Sequence, residues 1–217
     1  MTQFVPAPEP DWLRELEQRA HAAPIIAGLP EANGRASAVL MLFGQAELGG
    51  QDVVLTERSA TLRKHAGQVA FPGGRVDPTD TSFADTALRE AHEEIGLDRD
   101  GVRVVGVLPS LPLSVTGFRV TPIAAWWERP APIGVVDPAE VARVERVPLA
   151  QLVDPANRFS AIVPGREFVA PAFEVDGLYV WGFTAILLDA TLRLAGMELP
   201  WDRSDERPVP SRYLQGG

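Results

Sequence analysis

Residues 67–97, GQVAFPGGRVDPTDTSFADTALREAHEEIGL, constrain this chain more than any other stretch. A glycine-rich turn leads into capping residues and then into a short helical segment with three clustered glutamates. Thr81 or Ser82 can cap the helix, Asp85 stands in its first turn where negative charge is favourable, and Gly96 is placed to end it. A helix turns about 100° per residue, so Glu90, Glu93 and Glu94 fan over roughly a quarter turn. Ala84, Ala87, Leu88, Ala91 and Ile95 form the adjacent apolar stripe, which is predicted to face the core. The carboxylates then lie at the edge of the buried face. Like charges this close raise one another's pKa, and a bridging cation removes that cost. Oxygen ligands suit Mg²⁺ or Mn²⁺. Taken alone, a Glu-x-x-Glu-Glu is more often a solvated acidic helix face.

The neighbouring residues change that balance. Gly73-Gly74 lie just upstream, and Arg89-Glu90-Ala91-His92-Glu93-Glu94-Ile95-Gly96-Leu97 resembles the second half of the Nudix hydrolase box. The first half departs from it. Counting from Gly74, the five-residue gap ends on Asp80 instead of Glu, and the next gap, to Arg89, is eight residues instead of seven. Leu62-Arg63-Lys64-His65-Ala66-Gly67-Gln68-Val69-Ala70-Phe71-Pro72-Gly73-Gly74, with Leu55-Thr56-Glu57-Arg58-Ser59 upstream, is similar to the coenzyme A pyrophosphatase branch of that family, whose longer loop accommodates the extra residue. The similarity covers residues 36–125 well and the remainder loosely.

The resemblance implies an α/β Nudix fold, a mixed β-sheet sandwiched between α-helices. It implies Glu90, Glu93 and Glu94 as catalytic metal ligands, helped by a backbone carbonyl at Gly74, with Arg89 orienting a glutamate through an ion pair. It also implies Arg58, Arg63, Lys64, His65, Gln68, Phe71 and Gly73 as substrate-binding residues. Arginine forks match phosphate oxygens, so a cationic loop beside a metal site suits an anionic substrate. Without that neighbour the loop reads as solvated. His65 reads equally well as a substrate contact or as a satisfied structural histidine. Asp137, Glu140 and Glu145 are open candidates for an outlying carboxylate, and Ser114, Thr116 and Phe118 for substrate neighbours.

The net charge of −9 argues against general nucleic-acid binding, while leaving room for a local basic patch. With no cysteine, disulfides, zinc-thiolate sites and cysteine nucleophiles are excluded. No apolar run reaches membrane-spanning length, and Met1–Asp11 lacks the pattern of a secretion signal, so a cytoplasmic protein is expected.

Along the chain, residues 1–35 read as an N-terminal helix from Asp11 to about Ala22 with a linker, 36–196 as the Nudix domain and 197–217 as a loose tail. Strands are predicted at Ala36–Phe43, Asp52–Glu57, Gly67–Phe71, Val102–Leu108, Phe118–Trp127 (with Pro122 at an edge or bulge) and Glu140–Val147. A short helix follows at 148–153, then a hairpin from Phe159–Val163 and Glu167–Val175, then Leu178–Val180. Trp126 and Trp127 should face opposite sides of their strand, one in the core and one free to stack on an adenine. Trp181–Ala195 reads as a helix apolar all round, which suggests deep burial or a homodimer contact. The expected reaction is Mg²⁺- or Mn²⁺-dependent hydrolysis of the pyrophosphate link of coenzyme A or acyl-coenzyme A. The competing readings are a Nudix hydrolase of another nucleoside diphosphate compound, such as ADP-ribose, and a non-catalytic nucleotide-binding Nudix module.

Overall fold

A computed structural model describes residues 8–22, 34–47, 49–113 and 117–214. Ser114 and Thr116 therefore lie outside the described residues. In chain order the elements are α1 (Asp11–Ala22), β1 (Arg35–Gln45), β2 (Gln51–Arg58), β3 (Val69–Ala70), β4 (Gly73–Arg75) and α2 (Phe83–Ile95). Then come β5 (Val102–Val107), β6 (Leu111–Leu113), β7 (Phe118–Trp127), β8 (Val141–Pro148) and α3 (Leu149–Val153). The chain continues through β9 (Arg158–Ile162), β10 (Val169–Val175), β11 (Leu178–Val180), α4 (Gly182–Leu194) and β12 (Glu206–Pro208).

The larger sheet has the order β3-β2-β1-β7-β5, with β4 on β1, β6 on β7 and β8 on β2. It is mixed because β1 and β7 pair in parallel while the other pairs are antiparallel. The apolar run of β1 has the composition of a strand buried on both faces. Met41 and Phe43 join the core cluster that contains residues of α1 and α4. Ala38, Leu40 and Leu42 alternate to the other face and pack with Ala87, Ala91 and Ile95 of α2. The apolar stripe of the glutamate helix thus fixes that helix against the central strand. Pro122 stands within β7 beside the central strand. Its missing N–H is tolerated because β5 pairs up to Ile123 and β6 takes over at Val120.

Two expectations, for the tryptophan pair and for the tail, need correction. Trp126 and Trp127 do point to opposite faces, yet both are fully buried, with the Arg146 guanidinium over Trp127, so neither is open to an adenine. The apolar surface of α4 is covered within one chain, by β10 and α1 among others, which answers to deep burial. The tail is not loose over its described length. β12 pairs in parallel with β9 to complete a second sheet, β11-β10-β9-β12, and Val209 and Tyr213 are buried. Its prolines read as disorder in sequence, but here Pro208 ends a short edge strand, where a missing donor costs little.

Arg158 ties this tail to the domain. Its side chain is fully buried, paired with Asp189 of α4 and 3.7 Å from Glu198, and its guanidinium lies over Phe173 and Trp201. Burial pushes the Asp189 carboxyl up and the Arg158 guanidinium down, so desolvation outweighs their attraction. Breaking such a pair is costly because the remaining charge has no partner. Arg158→Ala should lower unfolding free energy by about 3–5 kcal/mol in urea titrations, and Arg158→Met with Asp189→Leu should recover part of that loss.

Candidate active site

The site is built where α2 crosses β4. Ser82 caps the helix by accepting from the Asp85 N–H at 3.1 Å, and Gly96 ends it in the left-handed conformation at φ 70°. Glu90 and Glu94 lie one turn apart and converge on Gly73-Gly74. A β-carbon on Gly74 would lie 2.4–2.6 Å from the Glu90 carboxylate, so a side chain there would push that carboxylate from its position. Glu94 is 6% exposed, and its Oε2 accepts the Gly73 N–H at 3.1 Å. Burial pushes the Glu94 carboxyl up to about 7, against the Gly73 hydrogen bond and the positive charge of Arg58, with the charges of Glu90 and Glu140 adding to the rise. Burial also raises Glu90, offset in part by Arg89.

Arg89 is the hub of the polar network. Its Nε and Nη2 donate to the two oxygens of Asp80 at 2.9 and 3.0 Å. Its Nη1 donates to Glu90 at 3.0 Å and Glu93 at 3.1 Å, and Nη2 also reaches the Arg75 carbonyl at 3.0 Å. Asp80 accepts in addition from the Asp77 N–H and the Thr86 hydroxyl, each at 2.8 Å. The Arg89 guanidinium holds the Asp80 carboxyl far below the usual carboxylate range. The sequence assigned Asp80 no role. Its two oxygens nevertheless take the guanidinium fork.

The other expected residues divide by location. Arg58 ends β2 and exchanges backbone hydrogen bonds with Gln68 and Gly67. Its Nε is buried with no partner among the described residues, and its charge acts on Glu94. Arg63 and Lys64 are exposed in the loop between β2 and β3, with no ion pair among the described residues. His65 takes φ 58°, and its Nδ1 lies 3.0 Å from the Gln68 Oε1. Gln68 in turn donates to the Tyr213 carbonyl at 3.0 Å. Phe71 departs from expectation. It is 4% exposed and packs in the core with Val69 and Phe43, so its role is packing. Glu93 is the most exposed of the three glutamates, with 56% of its side chain accessible. Of the outlying carboxylates, Glu140 is the one whose charge reaches both Glu90 and Glu94. Glu145 is instead paired with Arg143, and Asp137 accepts from the Ala139 N–H. Phe118 carries the Arg35 and Arg75 guanidiniums over its ring at 5.6 and 5.2 Å.

Among the described residues, no three carboxylate or imidazole side chains already enclose one point as a closed metal shell would. The donor set still fits a hard divalent cation. Glu90 and Glu94 supply oxygen only, both are raised by burial, and among the described residues Glu94 accepts one hydrogen bond, from the Gly73 N–H. Mg²⁺ keeps several waters and substrate oxygens, so an open set of this kind suits it.

The site is thus a capped, glutamate-bearing helix laid on a Gly-Gly strand of a mixed sheet. The NUDIX domain matches residues 33–166, and the chain belongs to the Nudix family. It is similar to a protein named "Uncharacterized Nudix hydrolase NudL" from Enterobacter sp. (strain 638), 37% identical over 180 residues, covering 76% of this chain and 85% of the relative. A protein of the same name from Cronobacter sakazakii is 50% identical over 107 residues, 46% of this chain and 50% of that one. Among solved structures, a Nudix hydrolase from M. smegmatis, RenU, aligns with a TM-score of 0.54 at 19% identity, covering 78% of this chain and 90% of that chain, which shows the shared fold. The chain is thus a Nudix pyrophosphohydrolase acting on a nucleoside diphosphate derivative, in a family that generally uses divalent metal ions.

Two outcomes follow from this geometry. Gly74→Ala should displace the Glu90 carboxylate and lower kcat at least tenfold, while circular dichroism shows a folded chain. The pH effect has a definite sign. Glu94 titrates near 7 when folded and near 4.5 when unfolded, so between these values the folded chain alone keeps its proton. Metal-free protein should therefore lose about 3 kcal/mol of stability as pH rises from 4.5 through 7, and Glu94→Gln should flatten that slope in chelator-treated urea titrations.

Proposed function

We propose that this enzyme hydrolyses the pyrophosphate bond of coenzyme A or acyl-coenzyme A, giving 3′,5′-ADP and 4′-phosphopantetheine or its acyl form. The observation that carries the reading is the loop from Arg58 to Gly74. Its sequence is similar to the coenzyme A pyrophosphatase branch, and it starts and ends at the carboxylates. Arg58 acts on Glu94, and Gly73 and Gly74 touch Glu94 and Glu90. Between these points Arg63 and Lys64 present exposed cations with no ion pair among the described residues, and coenzyme A carries a 3′-phosphate besides its diphosphate.

Glu90, Glu93 and Glu94 would hold Mg²⁺ or Mn²⁺, with the Gly74 carbonyl as a further ligand. When bound, the cation neutralises phosphate charge and lowers the pKa of a water. The chain's own residues do the rest. Arg89 fixes Glu90 and Glu93 in direction through the network anchored on Asp80. Arg58, Arg63 and Lys64 attract and orient the phosphates. Water attacks phosphorus in line, the anhydride oxygen leaves, and no covalent enzyme intermediate is needed. In this reading Glu140, whose charge acts on Glu90 and Glu94, takes the proton of that water.

Purified protein with Mg²⁺ or Mn²⁺ should release 3′,5′-ADP from coenzyme A compounds in preference to turning over ADP-ribose, NADH or dinucleoside polyphosphates. Turnover of ADP-ribose instead would favour a different nucleoside diphosphate substrate, and tight binding without turnover would favour a sensor. Glu94→Gln should remove most activity and weaken metal binding; near-normal turnover would contradict the assignment.

A further inference from the structure

The loop between β2 and β3 is held in a strained shape by the far end of the chain. His65 occupies φ 58°, a region that side chains with a β-carbon rarely adopt. Such strain persists only where the surroundings over-determine it. Three contacts do so here. The Gln68 N–H bonds the His65 carbonyl at 3.1 Å, closing the turn. The His65 ring bonds the Gln68 side-chain oxygen, and the same amide's nitrogen donates to the Tyr213 carbonyl, both at 3.0 Å. Gly67, itself at φ 67°, lies beside the Tyr213 ring, which a β-carbon there would meet at an ordinary contact distance of 3.6 Å.

Tyr213 is in turn fixed from below. It is 8% exposed and stacks on Tyr179, with ring centroids 5.5 Å apart and planes 13° apart. Its N–H bonds the Pro210 carbonyl, and Val209 bonds β9 through the Ile162 carbonyl. The support therefore runs from the second sheet, through the C-terminal segment, to the amide of Gln68. Each end of that amide thus makes one contact within this support, so the Gln68 side chain bridges the loop to the tail.

We propose that the Tyr213 carbonyl, acting through Gln68, is a positioning device that locks the Arg63–Lys64 loop in its substrate-binding shape. The proposal rests on the reading of that loop as the substrate-binding element. Gln68 becomes a positioning residue, and the second sheet gains a function at the site despite lying outside the glutamate helix. The loop enters the reaction through binding, so its loss should appear in KM.

Two variants test this. Gln68→Glu keeps an acceptor for His65 but cannot donate to Tyr213, and a chain ending at Pro210 removes the carbonyl itself. Each should raise KM for coenzyme A roughly five- to tenfold with kcat within about twofold, the loss expected for one net hydrogen bond together with release of the turn. In metal-free protein, trypsin should cut after Arg63 and Lys64 several-fold faster in both variants, with cutting after Arg166 unchanged. If the shortened chain does not fold, Gln68→Glu alone decides. Unchanged KM and unchanged cutting would overturn the proposal, and so would a fall in kcat at constant KM, which would place Gln68 at the reacting groups. If the parent protein turns over no coenzyme A compound, the substrate reading fails, while the trypsin comparison still decides whether the tail positions the loop.

Discussion

The site depends on one guanidinium. Arg89 takes both oxygens of Asp80 on one side and reaches Glu90, Glu93 and the Arg75 carbonyl on the other. The three carboxylates it joins, those of Asp80, Glu90 and Glu93, would otherwise repel one another. A planar fork with five donors lets one residue oppose that repulsion and set direction at once, which a point charge such as lysine could not do. The anchor is rigid because Asp80 is itself fixed by the Asp77 N–H and the Thr86 hydroxyl. The loop between β4 and α2 is thereby tied to the helix it feeds.

Around this hub, packing and function pull in opposite directions. The stripe of Ala87, Ala91 and Ile95 draws α2 onto Ala38, Leu40 and Leu42 of the central strand. That burial also drags Glu94 out of water and raises its pKa, and the absent side chain of Gly74 lets Glu90 approach the backbone. The hydrophobic contacts stabilise the fold, and the carboxylates held at their edge weaken it. Active sites commonly hold groups in this unfavourable state, because a group poorly solvated by its surroundings is ready to take a cation or a proton.

Much of this was legible in sequence. The spacing of Glu90, Glu93 and Glu94, the cap at Ser82 and the stop at Gly96 are local, and local patterns survive folding. The apolar run of β1 likewise announced a strand covered on both faces. What escaped was set by contacts between distant residues. The partnership of Asp80 with Arg89 was hidden by an extra residue in the loop. The approach of Glu140 depends on β8 pairing with β2, which brings the turn before β8 to Ser59. Phe71 lies in the motif stretch but faces the core, a matter of strand phase. The tail misled most: its composition suggests disorder, yet β12 and the Tyr213–Tyr179 stack order it against a sheet formed by residues some 40 positions earlier.

The central claim is that Glu94 is a buried carboxylate waiting for a cation beside Gly73. Carbon-13 NMR of glutamate side chains, with Glu94 assigned by its substitution to Gln, tests it most directly. In metal-free protein the Glu94 carboxyl should titrate with a midpoint near 7. Mg²⁺ added at neutral pH should displace its proton and carry the midpoint down into the ordinary carboxylate range. A midpoint already near that of a free glutamate, unmoved by Mg²⁺ or Mn²⁺, would contradict the account.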